Sequence, residues 1–451
     1  MKPNKPTRRH DSSHKPAAKK TNVPPARAAA LEALERCLGL SAPERRQARE
    51  TDAQAALDAT LSARRLDPRD AALATELFYG VLRSKTRVEY ILSRFLDRPE
   101  SLPPGVLLIL CAASHEMLHL DRVPARASVN WGVDAVREAA NDGLAGLANA
   151  VLRKVAALAE HPLPEGFFGP ETPPEEHPET LARKYACPDW LVELWLDEYG
   201  PETGLRYLQA QALPPALGIA VQHRHPRAAE IAASLAARPG LLGSSGLGLA
   251  FAAGTHLDDL PDETLVRQSF AGREALLALD PGSWPDPVWD ACSGRGGKTR
   301  LLLELGKSVL ASDIHRGRIR ALQAEQPEVE AVAASALERP PFATPPRTIL
   351  LDAPCSGLGT LSRRPDIKWK RSEDDFDDLV ELQAEMLENA WKRLPQGGLL
   401  AYLTCTLNPD ENERQIAAFL AGHPDAELRT EWTTDPDAQW GEFFYAALLA
   451  K

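Results

Sequence analysis

Cysteine is scarce, long apolar runs are missing, and positive charge does not dominate. The chain has 6 cysteines in 451 residues. None forms a Cys-x-x-Cys pair or a zinc-like spacing, which argues against a disulfide framework and a metal site and for a reducing cytoplasm. No stretch approaches the roughly 18 apolar residues that a membrane-spanning helix requires, so no membrane partner is expected. The N-terminus is basic and Pro-rich without an apolar core, unlike a secretory signal. Lys and Arg number 52 against 63 Asp and Glu, a formal net charge of −11. That balance excludes a broadly basic nucleic-acid coat. It leaves room for a local basic strip, because the field at a cleft depends on where charges sit.

What is present reads as a multidomain chain. Hydrophobic residues at 44% and charged residues at 25% are ordinary globular values, and the length suits about two or three domains. Residues 1–24 hold Lys2, Lys5, Arg8, Arg9, Lys15, Lys19 and Lys20 with almost no large apolar side chain. They are expected to be a disordered basic tail that either touches RNA phosphates or only aids solubility. Residues 25–160 are patterned as helices throughout. Asp67-Pro68-Arg69-Asp70 is a helix start, and Leu73, Leu77 and Val81 with Phe78 and Leu82 form the apolar face behind it. Further helices are expected over 88–96, 106–119, 125–140 and 144–158. His115 and His119 lie one helical turn apart without a third ligand, and read as core or surface histidines. Residues 161–180 form a Pro/Glu-rich, exposed linker, and 181–265 a small α+β connector domain that opens on an aromatic helix. From 266 to 451 strands and helices alternate as in a doubly wound α/β sheet. Strands are expected at 287–291, 308–312, 328–333, 348–351, 398–404 and 443–449, with helices at 298–305, 316–325, 374–394 and 410–420.

Two of these strands end in reactive side chains. Ile349-Leu350-Leu351 runs into Asp352-Ala353-Pro354-Cys355, and Leu399–Leu403 into Thr404-Cys405. Open α/β sheets bind ligands at that edge, although a free cysteine taken alone is more often a small buried hydrophobe. An earlier strand turns through Asp290-Ala291-Cys292-Ser293-Gly294-Arg295-Gly296-Gly297-Lys298-Thr299 into a helix. A triphosphate loop would need glycine where Cys292 stands. Asp313 ends the next strand, where a carboxylate suits ribose hydroxyls. Thiols, an acid and a nucleoside site fit one reaction. A thiolate adds to carbon 6 of a cytosine, an acid assists at ring nitrogen 3, and a further group removes the carbon-5 proton after methylation.

Asp352–Gly357, Arg363–Trp369 and Thr404–Glu413 resemble the motifs of the Sun/Nop family of RNA cytosine-5 methyltransferases. The likeness spans most of 266–451, including Gly441–Ala446, while Asp67–Arg83 resembles the NusB-like RNA-binding module. The resemblance implies an all-α NusB-like domain, the small connector, and a Rossmann-like α/β methyltransferase domain using S-adenosylmethionine. It implies a cytosine in small-subunit ribosomal RNA as substrate, and a cytoplasmic enzyme, expected to be monomeric. Cys405 would be the nucleophile, Cys355 would assist release, and Asp352 would orient the base beside the cofactor. Cys292, Ser293, Gly294, Arg295, Gly296, Gly297 and Lys298 would wrap the cofactor and Asp313 would hold its ribose. Arg363, Arg364, Lys368, Trp369, Lys370 and Arg371 would line the RNA cleft, unless Trp369 anchors the loop in a core. The chain departs from the family pattern at Ser293-Gly294-Arg295, at Ser335 where an Asp contacts adenine, and at Ser269 after Gln268. It also lacks an Arg-Val-Asn in the middle domain. Two rivals follow: a non-catalytic RNA-binding assembly factor, or a transfer-RNA methyltransferase.

Overall fold

A computed structural model describes residues 22–40, 52–170, 177–257, 261–339 and 342–451. The basic tail up to residue 21 and residues 171–176 of the linker lie outside the described residues. Among the described residues, six helices share the first core: α1 (Pro25–Leu38), α2 (Ala53–Arg64), α3 (Pro68–Ser93), α4 (Pro104–His119), α5 (Ala125–Ala139) and α6 (Asp142–Ala159). Asp67 caps α3 by accepting from the N–H groups of Arg69 and Asp70, and Pro68 occupies the first turn, where no N–H is needed. With no further proline, α3 runs on to Ser93, so the separate helix expected at 88–96 is its last turns. The apolar α4 packs against α3, α5 and α6. His115 is buried, with Nδ1 2.8 Å from Ser84 Oγ, and its ring lies 4.7 Å from that of His119. His119 itself is exposed at the last turn of α4, so one histidine of the pair belongs to the core and the other to the surface. The linker is less exposed than its composition suggests. Phe168 is buried in the helical core, with Phe167 and Phe168 both against Tyr90.

Two helices follow, α7 (Pro178–Tyr185) and α8 (Asp189–Ala212). They do not pack with the connector. Leu191, Val192, Trp195, Tyr207 and Leu208 close instead on Leu358, Leu361, Ile367, Leu407 and Phe443 of the catalytic domain. The connector itself is a four-stranded antiparallel sheet, in order β2-β3-β1-β4. It is built from β1 (Leu217–Val221), α9 (Ala228–Ala236), β2 (Leu241–Ser245), β3 (Gly248–Phe251) and β4 (Leu265–Arg267). Strand β4 pairs with β1 and carries this unit just past residue 265.

The last region contains α10 (Phe270–Leu277), β5 (Val288–Asp290), α11 (Gly297–Glu304), β6 (Val309–Asp313), α12 (Arg316–Glu325), β7 (Glu330–Ala333) and β8 (Thr348–Asp352). It continues through α13 (Ile367–Lys370), α14 (Asp374–Arg393), β9 (Leu399–Thr404), α15 (Glu413–Gly422), β10 (Glu427–Thr433) and β11 (Tyr445–Ala450). The sheet order is β10-β11-β9-β8-β5-β6-β7. Strands β5 to β9 are parallel, and β11 and β10 close one edge antiparallel. Strand β10 escapes sequence reading because it is a largely exposed edge of mixed charge (Glu427, Arg429, Glu431) with no continuous apolar signal. Helices α10 and α11 pack on one face of the sheet, with α14 and α15 on the other. Both faces are therefore covered, and ligand access is left to the C-terminal edge of the parallel strands.

Candidate active site

Strands β5, β8 and β9 are neighbours, so their ends bring Asp290, Asp352 and Cys405 to one edge. Cys355 and Cys405 come together with their Sγ atoms 3.4 Å apart. That approach needs Gly359. Its N–H donates to Cys405 O, and a Cβ there would stand 2.0 Å from Phe443 O and 2.9 Å from Cys405 O. Both thiols are partly exposed, whereas Cys37, Cys111 and Cys187 are buried. The pair is asymmetric. The hydrogen bond from Cys355, together with the nearby Arg364 and Lys298 cations, lowers the Cys405 thiol. The same hydrogen bond and burial raise Cys355. Cys405 N–H donates to Cys355 Sγ at 3.3 Å, which pulls the other way. That shared hydrogen bond is the largest influence on both thiols, and it sets Cys405 below Cys355 although burial and Asp352 push Cys405 up.

Glu411 fixes the spacing, a role that sequence reading missed. Its carboxylate is fully buried and accepts from Ser356 N (2.8 Å), Ser356 Oγ, Gln383 Nε2 (2.9 Å) and Asn408 Nδ2 (3.2 Å). It thereby ties the turn after Cys355 to the turn after Cys405, while Gln383 on α14 also donates to Pro354 O at 3.0 Å. The signal was an acid directly after Asn408-Pro409-Asp410. Gln383 gave none, being a polar residue inside an amphipathic helix. Glu411→Gln would place an amide N–H among these donors and loosen both turns. It should lower the single-turnover rate of methyl transfer by about 10²-fold while cofactor affinity by calorimetry stays unchanged.

Beside the thiols, Lys298 Nζ donates to Asp352 Oδ2 at 2.6 Å. Burial works against this ammonium, but Asp352 outweighs it and keeps the lysine charged. A cavity of about 240 Å³ is lined by Cys292, Ser293, Gly294, Arg295, Gly297, Lys298 and Asp352, with Gln268 and Ser269 at its other wall. The turn between β5 and α11 bends through Gly294 (φ 55°) and Gly296 (φ 83°), a left-handed backbone that favours glycine. A Cβ on Gly294 or Gly297 would meet nothing within 4 Å, so the backbone lies open to a ligand at the start of α11. Burial, and then the nearby carboxylates of Asp352, Asp290 and Asp313, raise the Cys292 thiol.

Other expected cofactor residues have different local roles. Ser293 is buried, and its N–H and Oγ both donate to Ser312 O. Asp313 lies off the cavity and accepts from Gly294 N (3.0 Å) and His315 N (2.8 Å). Ser335 accepts from Leu337 N within its own turn and does not line the cavity. Ser269 accepts from Gly272 N, capping α10, and donates to Glu442 Oε2 at 3.1 Å. The sequence departure there is thus absorbed by the scaffold.

The basic loop at 363–371 needs the clearest correction. Lys368 and Trp369 turn towards the helical domain, where they line a cavity of about 470 Å³ with Val81, Lys85, Leu108 and Trp190. Lys368 is 2% exposed and its Nζ donates to Arg83 O, Ala186 O and Gln211 Oε1. Burial lowers it to about 8. Trp369 Nε1 donates to Leu82 O at 2.9 Å and its ring packs on the helical-domain core under Lys85. Lys370 pairs with buried Asp366, which also accepts from Ala53 N on α2. Arg363 forks onto Glu442 and reaches Ala216 O. Arg364 is the exposed member and Arg371 is half-buried. A basic run in sequence carries no information on whether its ammonium groups meet phosphates or buried carbonyls, and here most of it bolts three regions together. Lys368→Ala would leave three buried acceptors unpaired around a cavity. It should cost about 2–4 kcal/mol, seen as a lower denaturant midpoint.

With the geometry in place, the comparisons are consistent throughout. The NusB family matches residues 24–157 and the 16S rRNA methyltransferase RsmB/F family matches residues 275–444. The chain is 32% identical to the ribosomal RNA small subunit methyltransferase B of Vibrio cholerae, covering 85% of this chain and 90% of that protein. It is 31% identical to the probable enzyme of that name from Synechocystis, over 86% and 89% of the two chains. The crystal structure of PH0851 shares the fold at a TM-score of 0.71 and 22% identity, covering 96% of this chain and all of that one. Two domains matched in the order the fold displays them, and relatives aligned along nearly their whole length, lead to one conclusion: the chain belongs to the ribosomal RNA small subunit methyltransferase B family.

Proposed function

We propose that this protein methylates carbon 5 of a cytosine in small-subunit ribosomal RNA through a transient bond to Cys405. The observation that carries the reading is the asymmetric thiol pair at the ends of β8 and β9, next to Asp352 and the open glycine turn. S-adenosylmethionine fits that turn. Gly294 and Gly297 leave room at the backbone, and the buried Asp290 Oδ1 has no partner while Oδ2 accepts from Thr299. Residues 292–298 and Asp352 would hold it, and when bound it supplies an electrophilic methyl group.

The chain's own residues do the rest. Cys405 thiolate bonds to carbon 6 as ring nitrogen 3 takes a proton that the Lys298 ammonium relays through Asp352 Oδ2, which makes carbon 5 enamine-like. Lys298 holds Asp352 in place. Once Cys405 is committed to carbon 6, Cys355 passes its proton to water. The Cys405 N–H at 3.3 Å supports the resulting charge. Cys355 then takes the carbon-5 proton, the C–H electrons restore the ring double bond, and Cys405 leaves as thiolate. Arg364 and Arg371 would meet RNA phosphates.

The test incubates the full chain with labelled S-adenosylmethionine and, in separate reactions, protein-free small-subunit ribosomal RNA or bulk transfer RNA, then maps the product by bisulfite sequencing. One protected cytosine is the expected result. Label in transfer RNA alone, or no label in either RNA, would overturn the reading.

A further inference from the structure

Beyond the mouth of the cofactor cavity lies a shallow depression of about 610 Å³, bordered by Arg295, Ile314, His315, Arg316 and Arg318. Arg295 lines both spaces. Arg320 follows Arg316 one turn later on α12, so their side chains share a face. In a chain of net charge −11, this is a concentration of cations against the overall sign. Arg318 pairs with Asp313 at 3.5 Å. Among the described residues, Arg295, Arg316 and Arg320 have no carboxylate partner, although acids nearby serve other cations, Glu325 on Arg300 and Glu328 on Arg224. Like charges one helical turn apart repel, so the cluster costs stability unless an anion covers it. Ile314 adds an apolar side chain 65% exposed at the same place.

We infer that this arginine-rimmed depression is a second RNA subsite, which grips the phosphodiester backbone of the strand flanking the target base. Guanidinium groups suit phosphate because their planar fork donates two parallel hydrogen bonds. Several arginines spaced around a shallow bowl match a polyanion better than one small anion, and Ile314 offers a surface for a ribose or base. Because Arg295 borders both spaces, a strand lying here would pass over the cofactor and stay in register with a base inserted towards Cys405. The inference rests on the RNA methyltransferase reading.

The experiment titrates the full chain with a labelled small-subunit ribosomal RNA transcript over a range of salt concentrations. The Arg295→Gln/Arg316→Gln/Arg320→Gln variant should reduce the slope of log K against log salt by about 2, from three lost contacts at roughly 0.7 each. Replacing the same three residues by lysine should restore most of it. An unchanged slope would overturn the subsite. So would a loss of S-adenosylmethionine affinity in Arg316→Gln/Arg320→Gln with the RNA slope intact, since the patch would then serve the cofactor. Methyl transfer by the wild-type chain on the same transcript is run alongside. Its absence would sink the enzymatic reading, while the salt slopes still decide the subsite.

Discussion

Replacing Cys405 by alanine is expected to abolish methyl transfer, by about 10⁴-fold or more, since removal of a nucleophile leaves only binding and electrostatics to act. The neighbouring thiol cannot substitute. Cys355 sits 3.4 Å away, but its thiol is raised by its hydrogen bond to Cys405 and by burial. Losing one sulfur at a partly exposed strand end removes little packing, so the variant should fold and still bind cofactor. Calorimetry with S-adenosylmethionine checks the second point, and transfer of labelled methyl to ribosomal RNA checks the first. Turnover near the wild-type rate in a folded Cys405→Ala protein would dismantle the covalent scheme.

The Cys355→Ala variant should fail at the opposite end of the cycle. Cys405 keeps Lys298 and Arg364 nearby, which favour its thiolate, so addition to carbon 6 continues. The group that takes the carbon-5 proton is gone, and the sulfur–carbon bond has no fast route to break. A protein–RNA complex that survives denaturing electrophoresis should therefore accumulate to a large fraction of the enzyme, with turnover depressed by about 10²–10⁴-fold, the usual contribution of a proton-transfer group. Combining it with Cys405→Ala must remove the complex. If the double variant still forms it, the bond is made by some other residue.

The catalytic edge was legible because its chemistry interrupts a pattern. Asp352 and Cys405 close apolar strands, and a buried parallel strand gives its strongest signal where polarity returns. The two thiols, fifty residues apart in sequence, meet because β8 and β9 are adjacent and parallel, which the alternation of strands and helices implies. The loop at 363–371 was misread for the opposite reason. Its lysines and arginines look alike in sequence, yet Lys368 ends on three buried oxygens while Arg364 faces solvent, and only tertiary packing separates these fates. Glu411 sat inside a quoted motif, but nothing local reveals that its carboxylate spans two distant turns. The tie between α8 and the catalytic core was equally hidden, since an apolar helix face does not name its partner.

The position of β11 has a consequence for synthesis. This strand follows β10 in sequence, yet it lies between β9 and β10, and Phe443, just before it, donates its N–H to Gly359 O at 2.8 Å. The oxygens that receive Lys368, from Arg83, Ala186 and Gln211, emerge from the ribosome long before the loop that fills them. A chain folding from its N-terminus thus prepares a receptor for its catalytic half before β11 is made. Until β11 inserts beside β9, the strand that leads to Cys405 keeps an open edge.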